Sequence, residues 1–240
     1  MAKRAVVSVK EDLSSVSLWL RTKLIVPEPT PPAMQDQIRR IHRATFSLVL
    51  WRFRLTGLQE WGRVFVEEIA SDALQVIPQA FMGYSKTTKL LTRGIVENAL
   101  RHLYFSDHPV EFRRMNRDGK YYIQLEELFS YAASHDAFLD TEKEFDALNR
   151  LKSLYSELSA GVHGRQVVDL EMRVALEKIA YDGPAVEKEA RLIERCAESV
   201  NFVLAVFHRD RFDRFSAEDR RVILQTMSTQ AKKVRMETGG

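Results

Sequence analysis

From Met34 onward the apolar positions of this chain recur at steps of three and four residues, the spacing that lines them along one side of a helix. The pattern predicts helices over 34–55, 58–82, 86–105, 121–135, 141–163, 168–181, 185–212 and 216–234. Thr141 with Glu144, and Ser216 with Asp219, have the spacing of a capping box. Gly57, Gly83 and Gly164 fall at helix ends, and Asp182-Gly183-Pro184 is a turn with Pro184 in the first turn of the next helix. Pro78 lies inside its helix and is expected to kink or split it. The stretch HPVEFRRMNRDGK (108–120) is the longest expected to be irregular. No strand pattern competes and no internal repeat is visible.

Before Met34 a helix is expected from Asp12, with Leu13, Val16, Trp19 and Leu20 on one face. The run PEPTPP (27–32) then favours an extended linker. Residues 1–33 therefore read as an arm that docks on the body or on a partner, 34–234 as one all-α domain, and 235–240 as a disordered tail. Short connections make neighbouring helices antiparallel, in a single bundle of about seven or eight helices.

Composition narrows the class. At 240 residues and 45% hydrophobic there is material for a large core, while 10 Gly and 7 Pro are too few for an all-β chain full of tight turns. A net charge of +3 permits an anionic partner without demanding one. The lone cysteine, Cys196, rules out an intrachain disulfide and a multi-cysteine zinc site, and it reads as a small buried hydrophobe in a reducing cytoplasm. No apolar run approaches the ~18 residues of a membrane span. The start, MAKRAVVSVKEDLSS, does not read as a secretory signal.

Candidate chemistry concentrates in two places. In TTKLLTRGIVENALRHLYF (87–105), apolar residues cover more than half of the helix, yet Arg93, Glu97 and Arg101 stack every fourth residue. Either this stripe is a solvated face with two i,i+4 ion pairs, or its surplus guanidinium holds a phosphate or a partner's carboxylate. In LYSELSAGVHGR (154–165), Lys152, Ser156, Ser159 and His163 form a polar stripe beside the core face, with Arg165 beyond. His163 either caps the last carbonyls or contributes to a site. His108, placed just past the earlier helix by Pro109, either folds back towards the arginine stripe or points to solvent.

The segments RGIVENALRHLYF, HPVEF and LYSELSAGVHG resemble those of the prokaryotic all-α proteins related to HEPN domains, most densely over 85–165. The resemblance implies a HEPN-like core. HEPN ribonucleases pair an Arg and a following polar residue with a His about four to six residues later. They often build a composite site across a dimer, cleave RNA without a metal ion, and act in toxin–antitoxin and anti-phage systems. Carried over, Arg101-His102 and His108, with six residues between Arg101 and His108, match that spacing at its upper limit, which would place Arg101 and His108 in the catalytic set, with His108 or His163 as general base or acid. Arg93, Glu97, Ser156, Ser159 and Arg165 would bind phosphate or a partner, with no metal and no cofactor. The motif here lies mid-chain rather than late in the domain, and His163-Gly164-Arg165 runs in the opposite order. Many members of the group lack the motif and bind or scaffold instead. Two functions are therefore expected: action on RNA or single-stranded nucleic acid, or a non-catalytic adaptor that docks a partner protein, with a homodimer compatible with both.

Other signals carry little. His208-Arg209-Asp210 matches a kinase tripeptide, but no Gly-rich loop precedes it and the helical pattern contradicts a kinase. HRDRFDRF reads as a helix end on which Phe207, Phe212 and Phe215 pack down. WRFRL (51–55) mixes aromatics and arginines, yet a core helix with Arg stems along it accounts for that. Trp19, Trp51 and Trp61 are most simply core.

Overall fold

A computed structural model describes residues 8–24, 30–139, 145–163 and 179–232, and the regular structure among them is entirely α-helical. The helices are α1 (Val9–Leu24), α2 (Pro32–Arg54), α3 (Glu60–Phe81), α4 (Ser85–Asp107), α5 (Pro109–Arg117), α6 (Leu125–Ser134), α7 (Asp136–Leu139), α8 (Ala147–His163), α9 (Gly183–Phe207), α10 (Arg209–Phe212) and α11 (Ala217–Gln225). Most of the helix expected over 168–181, the Thr141–Glu144 cap, Gly164, Arg165 and the 235–240 tail lie outside the described residues.

The apolar stripes of these helices meet in one core with α4 at its centre, against α3, α5, α6, α8 and α9. Ile95, Val96, Ala99, Leu100 and Leu103 of α4 are all buried. Gly57 and Gly83 end α2 and α3 with positive φ (74° and 79°), a conformation most side chains resist. At Gly83 an added Cβ would also stand 2.3 Å from the Ala180 carbonyl oxygen, so the turn is closed to any larger residue. The Ser216 hydroxyl accepts from the Asp219 backbone N–H at 3.1 Å, as the capping spacing predicts.

Several expectations change. HPVEFRRMNRDGK is not irregular: Pro109 opens α5, because a first-turn proline has no N–H to lose. The same logic starts α2 at Pro32, inside the expected linker. α3 is not split at Pro78 but continues to Phe81. The expected 185–212 helix breaks at His208 into α9 and α10. In α1, Leu20 is buried and Leu13 and Val16 pack on the core, but Trp19 is 44% exposed.

Polar contacts tie the outer helices down. Asp12 of α1 meets His42 Nε2 at 2.9 Å. Arg40 of α2 bonds Glu187 and Glu194 of α9, and Arg54 forms a two-pronged bond with Asp219 of α11. Trp51, fully buried, donates to Asn201 Oδ1 at 2.8 Å and packs on Phe212 and Phe215. Cys196 is buried, and burial pushes its thiol up to about 12, which leaves it inert. No helix among the described residues is long and apolar enough to cross a membrane.

Candidate functional site

Spacing of four residues puts Arg93, Glu97 and Arg101 on one side of α4. Arg93 Nε donates to Glu97 Oε1 at 2.9 Å, and Arg101 Nη2 stands 3.4 Å from Glu97 Oε2. The stripe is not an open solvated face, because α8 covers part of it. Tyr155 of α8 donates its hydroxyl to Glu97 Oε1 at 2.8 Å, and the Arg93 guanidinium lies 4.9 Å from the Tyr155 ring centre. Arg93 and Glu97 are about one-fifth exposed, whereas Arg101 is 39% exposed and also reaches Asn98 Oδ1 at 3.4 Å. Burial first, then the Glu97 carboxylate, raises the Tyr155 phenol above its ordinary range, so it stays a donor.

The polar stripe expected on α8 divides. Ser159, one turn after Tyr155, is buried at the seam with α4, while Lys152 and Ser156 are exposed. The backbone of α8 runs to His163, whose side chain, like Arg165, lies outside the described residues. Lys89 of α4 approaches Gly161, where a Cβ would come within 2.7 Å of it. The end of α8 therefore runs along the first half of α4.

At the other end of α4, His108 folds back rather than pointing to solvent. Its Nδ1 lies 2.7 Å from the Tyr104 carbonyl oxygen, and its ring stacks on the Tyr104 ring at 4.1 Å and 10°. A carbonyl only accepts, so Nδ1 carries the proton and the neutral ring keeps its lone pair on Nε2. Tyr131 of α6 meets the His108 ring edge-on at 4.9 Å and donates a hydrogen bond to Asp107. Arg101 and Tyr104, three residues apart, are neighbours on α4, and His108, which caps the end of that helix with non-helical backbone (φ −122°, ψ 64°), reaches Tyr104 by folding back. Burial first, then nearby Tyr121, raises the Tyr104 phenol.

Sequence reasoning did not find a second cluster behind this one. His102, fully buried, places Nδ1 2.9 Å from the Gly62 carbonyl oxygen and Nε2 2.6 Å from Nε2 of His208. His135 packs on Phe207 at 5.2 Å and stands 3.3 Å from Asp107. His102 and His208 are 106 residues apart, and no local pattern announces such a pair. Among the described residues no group of His, Cys, Asp and Glu is arranged to hold a metal ion.

Set against known protein families, curated proteins and solved structures, the chain matches none of them.

Proposed function

We propose that this chain is a HEPN-like helical protein that acts on RNA, with Arg101 and His108 as its reacting pair. One observation carries the reading. Arg101 lies on α4 three residues before Tyr104, and His108, just past the helix end, folds back onto Tyr104, whose carbonyl holds it in the form that leaves Nε2 able to take a proton. In the reaction, His108 Nε2 removes the proton of an RNA 2′-OH. That oxygen bonds to the adjacent phosphorus, and the bond from phosphorus to the 5′ oxygen breaks. The products are a 2′,3′-cyclic phosphate and a 5′-hydroxyl. Arg101 meets the negative charge that builds on phosphate, and Glu97 positions Arg101. Arg93 supports Glu97 from the Tyr155 side and Ser159 lies along the same seam, while the leaving 5′ oxygen takes its proton from solvent; His163, expected in the catalytic set, ends the stretch of α8 that runs along the first half of α4, at the far end of that helix from His108. A cytoplasmic role in conflict with phage or in a toxin–antitoxin pair fits this chemistry.

The test is binding of a labelled single-stranded RNA at several salt concentrations. Wild-type protein is expected to bind with an affinity that falls as salt rises, and Arg101→Ala to lose several-fold in affinity with a shallower slope. Equal binding by Arg101→Ala would remove that residue from the site.

A second reading rests on a different observation. On α1, Leu18 and Trp19 stand side by side, 62% and 44% exposed. An arm that shows two large apolar residues suits an adaptor docking a partner protein. The two readings are compatible in one molecule.

A further inference from the structure

The segment after His108 was expected to be irregular, and as a helix it acquires a directed face. Phe112 is buried and Met115 packs on the core, which fixes the inner side of α5. At 3.6 residues per turn, Val110, Arg113, Arg114 and Arg117 then fall within about 100° of one another on the outer side. Glu111 and Asp118 fall off that arc. Arg113, Arg114, Arg117 and the following Lys120 are all exposed, and no described carboxylate pairs with Arg113, Arg117 or Lys120. The chain then turns through Asp118, which accepts from the Lys120 backbone N–H at 3.0 Å, and presents two tyrosines. Tyr121 is taken: the Arg114 guanidinium lies 4.6 Å from its ring centre. Tyr122 is not, and it is 74% exposed, the most exposed of the large apolar and aromatic side chains among the described residues. Exposing a tyrosine to this extent beside uncompensated cations has no role in packing.

We infer that the outer face of α5 and the Lys120–Tyr122 turn form a single-stranded nucleic-acid track, in which Arg113, Arg117 and Lys120 follow the phosphates and a base stacks on Tyr122. Cations that track a backbone beside an aromatic platform are what a flexible, base-exposing strand requires, and a duplex with its bases stacked inside cannot use the platform. An acidic peptide would satisfy the cations but leave the flat face of Tyr122 without a matching surface. α5 begins one residue past His108, so a strand along its outer face would lead towards the proposed reacting pair. The track rests on the RNA reading only for the identity of the strand.

Fluorescence anisotropy with a labelled 15-nucleotide oligouridine, and with its deoxy counterpart, tests this on the full chain. The variants are Tyr122→Ala, the pair Arg113→Glu with Arg117→Glu, and a charge-matched control, Arg214→Glu with Arg221→Glu, at exposed positions on other elements. Tyr122→Ala is expected to weaken binding about ten-fold. The Arg113/Arg117 reversal should weaken it more and reduce the salt slope by about 1.4, the share of two phosphate contacts on a single strand. All four substituted arginines and Tyr122 are exposed, so melting temperatures should stay at the wild-type value. Losses confined to the α5 variants support the track, with a preference for the ribose form assigning RNA and equal losses on both oligomers assigning single strands in general. Wild-type binding that Tyr122→Ala and the Arg113/Arg117 reversal leave intact, or that the control pair weakens equally, overturns the track while leaving the RNA reading standing. Loss of cleavage in Arg101→Ala bears on the reacting pair and not on the track.

Discussion

Replacing Asn201 by leucine should destabilise the protein by about 3 kcal/mol, read as a shift in the urea midpoint at constant slope. Asn201 is fully buried and serves three helices at once. Its carbonyl oxygen accepts from Trp51 Nε1 at 2.8 Å. Its amide donates to the Ser47 hydroxyl at 2.7 Å and to the Thr226 hydroxyl at 2.8 Å. Both hydroxyls already spend their protons on backbone carbonyls, those of Ala44 and Ile223. The amide is therefore matched to its surroundings in one orientation only. Leucine fills a similar volume, so the cost comes from the stranded indole N–H and two hydroxyl lone pairs rather than from a cavity. Ser47→Ala should add little in the Asn201→Leu background, because the bond it removes is already gone. A midpoint near wild type for Asn201→Leu would show that this network does not hold α2, α9 and the end of α11 together.

Acid is expected to weaken the fold between about pH 6.5 and pH 4, through the pair His102 and His208. Burial holds His102 down to about 4 from an ordinary 6.5, against smaller upward pulls from the Gly62 carbonyl and Asp107. His208 is lowered further, by burial, by His102 and by Arg211. The unfolded chain accepts these protons near pH 6.5, whereas the folded chain refuses them until far lower. Their contribution is thus fully present above pH 6.5 and is lost as the pH falls towards 4. His102 alone represents roughly 3 kcal/mol over that window. The geometry gives the same sign. His102 Nδ1 donates to Gly62, so its Nε2 must accept from His208, and protonating both rings leaves two donors facing each other at 2.6 Å. Asp72 works in the opposite direction. Burial, then Glu68, raises it to about 6, so the folded chain gains that proton first. Comparing wild type with His208→Gln, which keeps an N–H but does not titrate, isolates the pair. The variant should lose less stability between pH 6.5 and 5. Parallel pH profiles would show that the pair titrates as it would in water.

The sequence showed the main helices because their signals are local. Apolar periodicity and the glycines at 57 and 83 placed α2, α3 and α4 within a few residues of their observed ends. It hid α5, where Val110, Phe112 and Met115 are the only apolar residues in nine and Pro109 read as a stop instead of a start. The candidate site divides the same way. Arg93, Glu97 and Arg101 were legible from one helix, because spacing of four fixes their alignment. Tyr155, which closes the site from α8, is not among the site residues that the sequence pattern singles out. How far α8 is rotated about its own axis against α4 is set by packing, not by periodicity. That rotation brings Tyr155 and Ser159 to the seam and leaves Lys152 and Ser156 outside. The fold back of His108 onto Tyr104 and the pairing of His102 with His208 depend on chain direction after a helix end and on contacts across the whole chain.

Incubating the purified protein with single-stranded RNA in excess chelator, and identifying the new RNA ends, tests the central proposal most directly. The wild type should give 2′,3′-cyclic phosphate ends, and Arg101→Ala and His108→Ala should each cleave at least about a hundred-fold more slowly with wild-type RNA-free melting behaviour. Cleavage that survives when both residues are replaced together, or RNA that binds and is never cut, would contradict it.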